Sequence, residues 1–388
     1  MDVTLQKQSA NTFTKQIISL GALEAAITIG WLAYEKYQPQ LLLKFSFTEF
    51  ASILLIAQGI LGAIFHPLSG AWADKAFAEK GTKFPVIISG AAFAAIIFLS
   101  VSVALNADPA SGLKWILPVL VVLWLAAMAT FHSPAISLVE SFTPVHKFPH
   151  VAAILTMIFG LIYTIEPFLI EALEFVRKTK IGGVELGLTP IFILGGALVY
   201  FTALAIKNIS LTPPTEEDKK VIEKTVVEGS EKRDLFLTGF FVGLFKTLLL
   251  FAVPAIWVHH QFFASSKKFF TDPDYIQSAM LLFSAIIAIP VSKLVEKWGA
   301  EKTIVRACIV AFLVAVPSLL IRNAIFSFIM LVVMGGVYSM LAVASLPYIL
   351  NRAKAGKAGL SVGLYYGGVS ASTAFILLML LWMGIQAN

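Results

Sequence analysis

The sequence predicts an all-α polytopic membrane protein, built as two helical bundles joined by a polar linker. Three observations predict it. Hydrophobic residues make up 58% of the 388-residue chain and charged residues only 13%, with a mean hydropathy of +0.85. That composition is not one of a soluble globular domain. The apolar residues gather in eleven runs, each near the length of roughly 20 residues that a helix needs to cross the hydrocarbon layer. The third observation is that none of these runs shows the short alternating segments of a membrane barrel.

The runs cover about 16–36, 48–71, 85–105, 114–137, 150–172, 187–206, 235–258, 274–294, 303–321, 324–348 and 359–384. The first is followed by Tyr34, Glu35 and Lys36 and lacks the pattern of a cleaved signal peptide, so it reads as a retained span. With a cytoplasmic N-terminus, the inner segments hold 18 of the 29 Lys and Arg residues and the outer ones 9, leaving Lys246 and Arg306 inside runs. This asymmetry favours that orientation. Arg177, Lys178 and Lys180 in an outer loop go against it. An odd number of spans puts the C-terminus outside, and short loops with few cysteines point to a bacterial cytoplasmic membrane.

The net charge of +6 is spread over short loops, which suits membrane topology better than a nucleic-acid surface. Cys308 is the only cysteine, which excludes an intrachain disulfide and a cysteine-based metal site. No nucleotide-binding loop or Ser-His-Asp signature is present, so neither an enzyme nor a cofactor is expected. His259 and His260 point to different faces and lack acidic helpers, so no metal site is expected there.

The longest polar stretch divides the chain into an N-terminal six-helix bundle (1–206), a cytoplasmic linker (207–234) and a C-terminal bundle (235–388). The linker carries Thr212, Pro213 and Pro214, then mixed charge from Glu216 onward. A short surface helix and a solvated chain both fit that run. The two bundles echo each other. Pro67-Leu68-Ser69 returns as Pro290-Val291-Ser292, at an offset of 223 residues, and Ser133-Pro134 as Leu346-Pro347. Tandem bundles of this kind are the plan of a transporter that rocks about a site between its halves.

Three segments then carry a resemblance. His66-Pro-Leu-Ser-Gly-Ala-Trp-Ala-Asp74 with Lys80-Gly-Thr-Lys-Phe-Pro-Val86, Phe131 to Pro144, and Gly359 to Gly368 with Gly363-Leu-Tyr-Tyr366 are similar to segments of the major facilitator superfamily. Within it they most resemble the glycoside, pentoside and hexuronide cation symporters and the sucrose transporters. The chain departs from that branch at His132, where the branch has Arg, and in the missing twelfth span. The resemblance implies alternating access for a small solute, sugar-like or a small organic anion, driven by a proton gradient or by the substrate alone. An exporter of amphiphilic compounds is one alternative. A non-transporting assembly or interaction protein is another.

The candidate residues follow from polar groups in apolar surroundings. Lys246 sits near the middle of its run and Glu24 is isolated in the first. The resemblance and the offset together put the two on opposed cavity walls, as a binding pair or as a static ion pair that fixes packing. Glu166, just before Pro167, and Tyr163, one turn earlier, are expected beside irregular backbone. Tyr34 and Tyr365, with Trp31 and Tyr366, suit stacking on a sugar ring and suit the membrane interface equally. Asp74, His132 and Glu140 are expected to gate. In this reading the Asp74 carboxylate pairs with loop lysines or a helix N-terminus in one state and releases them in the other.

Overall fold

A computed structural model of the chain describes residues 3–104, 115–181, 184–208, 229–259, 272–321, 323–354 and 356–382. The surface helix or solvated chain read from Glu216 onward lies outside the described residues, as does His260.

The helices are α1 (Val3–Lys44), α2 (Thr48–Lys80), α3 (Phe84–Ala104), α4 (Ile116–Phe142), α5 (Phe148–Thr164), α6 (Glu166–Lys178) and α7 (Thr189–Lys207). After the linker come α8 (Gly229–Thr247), α9 (Val253–His259), α10 (Pro273–Trp298), α11 (Ala300–Leu320), α12 (Ala324–Arg352) and α13 (Ala358–Trp382). Among the described residues, nine helical segments are long and apolar enough to cross a membrane. The remaining two runs, 48–71 and 303–321, fall on α2 and α11. The fold is therefore the all-α one that composition predicts. A two-residue antiparallel hairpin of β1 (Lys180–Ile181) and β2 (Val184–Glu185) joins α6 to α7.

Helix α3 is apolar on both faces. On α3, Ile87, Ala91, Ala94, Phe98 and Val101 are buried, while Phe93, Ile96, Leu99 and Val103 line an exposed stripe. In water that stripe would be polar; here it is a surface for lipid.

Two runs are interrupted, each at a proline. Pro167 has no N–H to give the carbonyl of Tyr163, four residues back, and the run breaks into α5 and α6 there. The hydroxyl of Ser278 on α10 donates to that carbonyl instead, at 3.0 Å. In the seventh run, a π-helical turn over Leu248–Ala252 precedes Pro254 and separates α8 from α9. Widening the helix is one way to accommodate the proline ring, and such bulges recur at functional positions.

Contacts sort the chain into two units, residues 1–143, 172–240 and 352–388 in the first and residues 144–171 and 241–351 in the second. In the first, α2 runs against α13, while α3 packs on α4 and α7, and α1 on α4 and α7. In the second, α5 lies along α10, and α11 packs on α9 and α10. Trp257 on α9 donates its indole N–H to the Ser318 carbonyl of α11 at 2.8 Å.

The α2–α13 packing depends on small residues. A Cβ at Gly70 would strike the backbone carbonyl of Gly359. Gly70→Val is therefore expected to destabilise the protein by about 1–3 kcal/mol through overpacking. Gly336→Ala, whose Cβ would meet only a side-chain methyl at 3.4 Å, should be near neutral. Thermal midpoints of the two variants in detergent check the contrast.

Candidate functional site

In the first unit, α2 continues past its apolar run and ends at Gly81. This glycine takes φ +70° and bonds its N–H to the Phe77 carbonyl at 2.8 Å. The left-handed turn suits glycine. It reverses the chain so that Lys83, at the entrance to α3, returns to the end of α2. Lys83 is 1% exposed. Its ammonium lies 3.7 Å from Asp74 Oδ1 and 3.5 Å from Glu140 Oε2, and donates to Ser137 Oγ at 3.1 Å. One buried cation thus bridges carboxylates on α2 and α4.

Asp74 is engaged on its other side by α13. Oδ1 accepts the N–H of Gly359 at 2.8 Å and Oδ2 that of Leu360 at 2.7 Å. The first N–H groups of a helix have no partner within it, and its N-terminus favours negative charge. Position 359 has no room for a side chain, because a Cβ there would stand 2.5 Å from Asp74 Oδ1. Asp74, Lys83 and Glu140 therefore clamp three helices, α2, α4 and α13, at one end of the unit. Two of them, Asp74 and Glu140, are residues the sequence put forward for gating. Lys83 stood in the quoted loop motif without a role of its own, and its signal is its place directly after the Gly81 turn.

Farther along the same helices lies a pair of histidines. His66 on α2 is buried, with Nδ1 2.8 Å from Ser133 Oγ, and its ring centre is 5.5 Å from that of His132 on α4. Tyr366 on α13 sets its ring 4.7 Å from His132 and 5.9 Å from His66. Ser69 Oγ contacts the carbonyls of His66 and Ala129, tying α2 to α4. His66 also borders a cavity of about 80 Å³ that Trp31, Gln58, Ser370 and Thr373 line. His66 escaped the sequence reading, which treated it only as the first residue of a motif. It lies eight residues, roughly two turns, before Asp74 on α2.

The other candidates of this unit are spread out. Tyr34 is 4% exposed and stacks on Trp124 at 4.1 Å, with Trp31 edge-on to Trp124 at 5.2 Å. Of these rings, Trp31 reaches the cavity and Tyr34 packs in the interior of the unit. Tyr365 is also buried, with its backbone against Gly239 of α8 and its ring 5.7 Å from Tyr366. Glu24 is half-buried on α1, and its own carbonyl accepts the Thr28 hydroxyl at 2.8 Å.

In the second unit, Lys246 sits in the last turn of α8, just before the π turn, with its ammonium 5.1 Å from the ring centre of Tyr338 on α12. Tyr338 stacks on Phe159 at 6.5 Å, and Phe159 lies 4.7 Å from Tyr163. The lysine thus stands at the head of an aromatic row that includes the predicted Tyr163. Tyr338 was not singled out in the sequence, where it reads as one more residue of an apolar run. Glu166 is half-buried in the first turn of α6. No group of three or more metal-ligating side chains occurs among the described residues.

Residues 17–377 match the family model described as Major Facilitator Superfamily. Among solved structures, the human organic anion transporter MFSD10 (TETRAN) matches with a TM-score of 0.62 at 14% identity, over 97% of this chain and 94% of that one. A bacterial homolog of the human lysosomal transporter Spinster, inward-facing and occupied, gives 0.58 at 16% identity over 95% and 82%. Its unoccupied form gives 0.56 at 15% over 96% and 84%. No curated protein matches the chain in sequence. At such identities the structural likeness is one of fold.

The buried clamp and an exposed ion pair on the same helix should respond differently to loss of the cation. Lys83→Met strands two carboxylates around an apolar side chain and is expected to cost about 3 kcal/mol or more. Lys75 pairs with Glu79 at 3.8 Å in the open, and Lys75→Met should cost less than about 1 kcal/mol. Thermal unfolding in detergent micelles compares the two.

Proposed function

We propose, of a chain that belongs to the Major Facilitator Superfamily, that it carries a small organic anion by alternating access and uses protons as the coupling ion. Membership makes it a multi-pass membrane transporter; the solute, the coupling ion and the switch are our reading. The observation that carries this reading is the Asp74 carboxylate seated on the first N–H groups of α13. Such an interaction is strong when made and costs nothing covalent to break. It therefore suits a contact formed in one state of a rocking transporter and released in the other. The division into bundles 1–206 and 235–388, with the N-terminus cytoplasmic in a bacterial inner membrane, belongs to the same proposal.

Lys246 supplies the argument for an anion. Its ammonium stands within an apolar run, where a positive charge attracts an anionic solute, and Tyr338 adds an aromatic face 5.1 Å away. A carboxylate solute with an apolar or ring body matches both the charge and the row Tyr338, Phe159 and Tyr163. An anion is also what the human neighbour is described as carrying. Glu24 and Glu166 are the carboxylates we assign to proton or solute binding, with His132 beside His66 as part of the gate.

A neutral sugar is the second reading, and the glycoside, pentoside and hexuronide branch goes with it. It is favoured by Trp31 beside Gln58, Ser370 and Thr373 on one cavity. This is the pairing of ring face and hydroxyl partners that carbohydrates use.

Uptake of labelled small carboxylates and sugars into proteoliposomes, with internal pH recorded, separates the readings. Carboxylate uptake with acidification is expected in the wild type, with Lys246→Met losing at least tenfold in uptake. Sugar uptake that survives Lys246→Met would replace the anion by the sugar. Silence for both classes would return weight to an assembly protein.

A further inference from the structure

Arg306 is the second cation that the sequence leaves inside an apolar run, and transport makes no use of it. On α11, Thr303, Ile304, Ala307, Ala311 and Val314 are buried, while Ile309, Leu313, Val316 and Leu320 are exposed. At 100° per residue the exposed set falls on one stripe, and Lys302 and Arg306 fall on that same stripe at its N-terminal end. Both are exposed. Arg306 therefore faces the lipid side of its helix. It lies about 9 Å from the helix start at 1.5 Å per residue.

Its guanidinium lies over the ring of Trp298, 4.5 Å from the centroid. Trp298 ends α10, and Gly299, at φ +83°, turns the chain directly into α11. The indole belongs to the residue type that settles at the headgroup level, and here it fixes the plane of a guanidinium that can present a two-pronged donor face. Lys293 and Lys297 add exposed cations from the end of α10. Glu296 and Glu301 are the carboxylates of the same turn. Glu301 sits about 100° away from Lys302 on α11, off the stripe that carries the two cations. Four cations against two carboxylates leave the patch positive.

We propose that Arg306, Lys302 and Trp298 form a binding site for the headgroup of an anionic glycerophospholipid. The phosphate lies against the guanidinium and the Lys302 ammonium, and the acyl chains run down the Ile309, Leu313 and Val316 stripe. The stripe selects a lipid over a free ion, because its apolar surface continues unbroken from the cations toward the other end of α11. The surplus of positive charge selects an anionic headgroup over a zwitterionic one, at about fivefold per cation. The site is independent of the transported solute.

The test uses the full chain in nanodiscs of phosphatidylcholine and measures tryptophan quenching by brominated phosphatidylglycerol or brominated phosphatidylcholine. The Trp298 part is the difference between wild type and Trp298→Phe. We expect brominated phosphatidylglycerol to quench Trp298 at least fivefold more effectively at equal mole fraction. Arg306→Gln and Lys302→Gln should each reduce that preference about fivefold, and millimolar inorganic phosphate should not compete. Lys302 is exposed in the first turn, so its variant tests the site even if Arg306→Gln proves unstable. Equal quenching by both lipids in the wild type, or a preference kept in Lys302→Gln, would overturn the proposal. Competition by inorganic phosphate would assign the patch to a free anion and overturn it equally.

Discussion

The first unit depends on one buried cation. Lys83 compensates two carboxylates that would otherwise repel each other in a largely buried place, and it leaves Asp74 facing the N-terminus of α13. The elements around it serve that arrangement. The Gly81 turn returns Lys83 to α2, and Ser137 fills one of the ammonium's three donor directions. Glycines 70 and 359 let the two helices approach until a carboxylate and a backbone N–H can meet. A clamp of this kind is cooperative, since loss of any member leaves a charge buried without its partner.

The same economy of polar groups governs the membrane interior. Each interior proline removes a backbone donor, and the carbonyl it frees must be satisfied where lipid offers nothing. At Pro167 the solution is a hydroxyl from a neighbouring helix, Ser278. At Pro254 a π turn precedes the ring. Lys246 stands two residues before that turn, so a cation inside an apolar run lies beside the one π segment among the described residues. Irregular backbone beside a charged side chain is the combination from which transporters build solute sites.

Much of the fold was legible because its causes are local. Runs of apolar residues report helix number and placement directly, and the interruption near Glu166 follows from a single proline. Asp74 and Glu140 were legible as carboxylates at helix ends. Their cation was less so, because Lys83 looks like any loop lysine until the chain reverses at Gly81. The His66–His132 contact joins residues 66 positions apart in sequence on two helices, and no periodicity within either helix reports it. Tyr338 was hidden for another reason. In an apolar run a tyrosine carries no signal until a lysine from a different helix is found over its ring. Tyr34 and Tyr365 show the converse, since aromatic residues with the right chemistry for a sugar are packed away in the interior of the unit.

The most direct test of the clamp is the distance between α2 and α13, read by pulsed electron resonance from spin labels at Lys80 and Lys357 in proteoliposomes. With Asp74 seated on α13, the wild type should give a narrow distribution at short distance. Asp74→Ala, which leaves the Gly359 and Leu360 N–H groups without their acceptor, should shift a substantial fraction to longer distances. Wild-type and Asp74→Ala distributions that coincide would show that the packing of α2 on α13 does not depend on the carboxylate, and the account of the switch would fail.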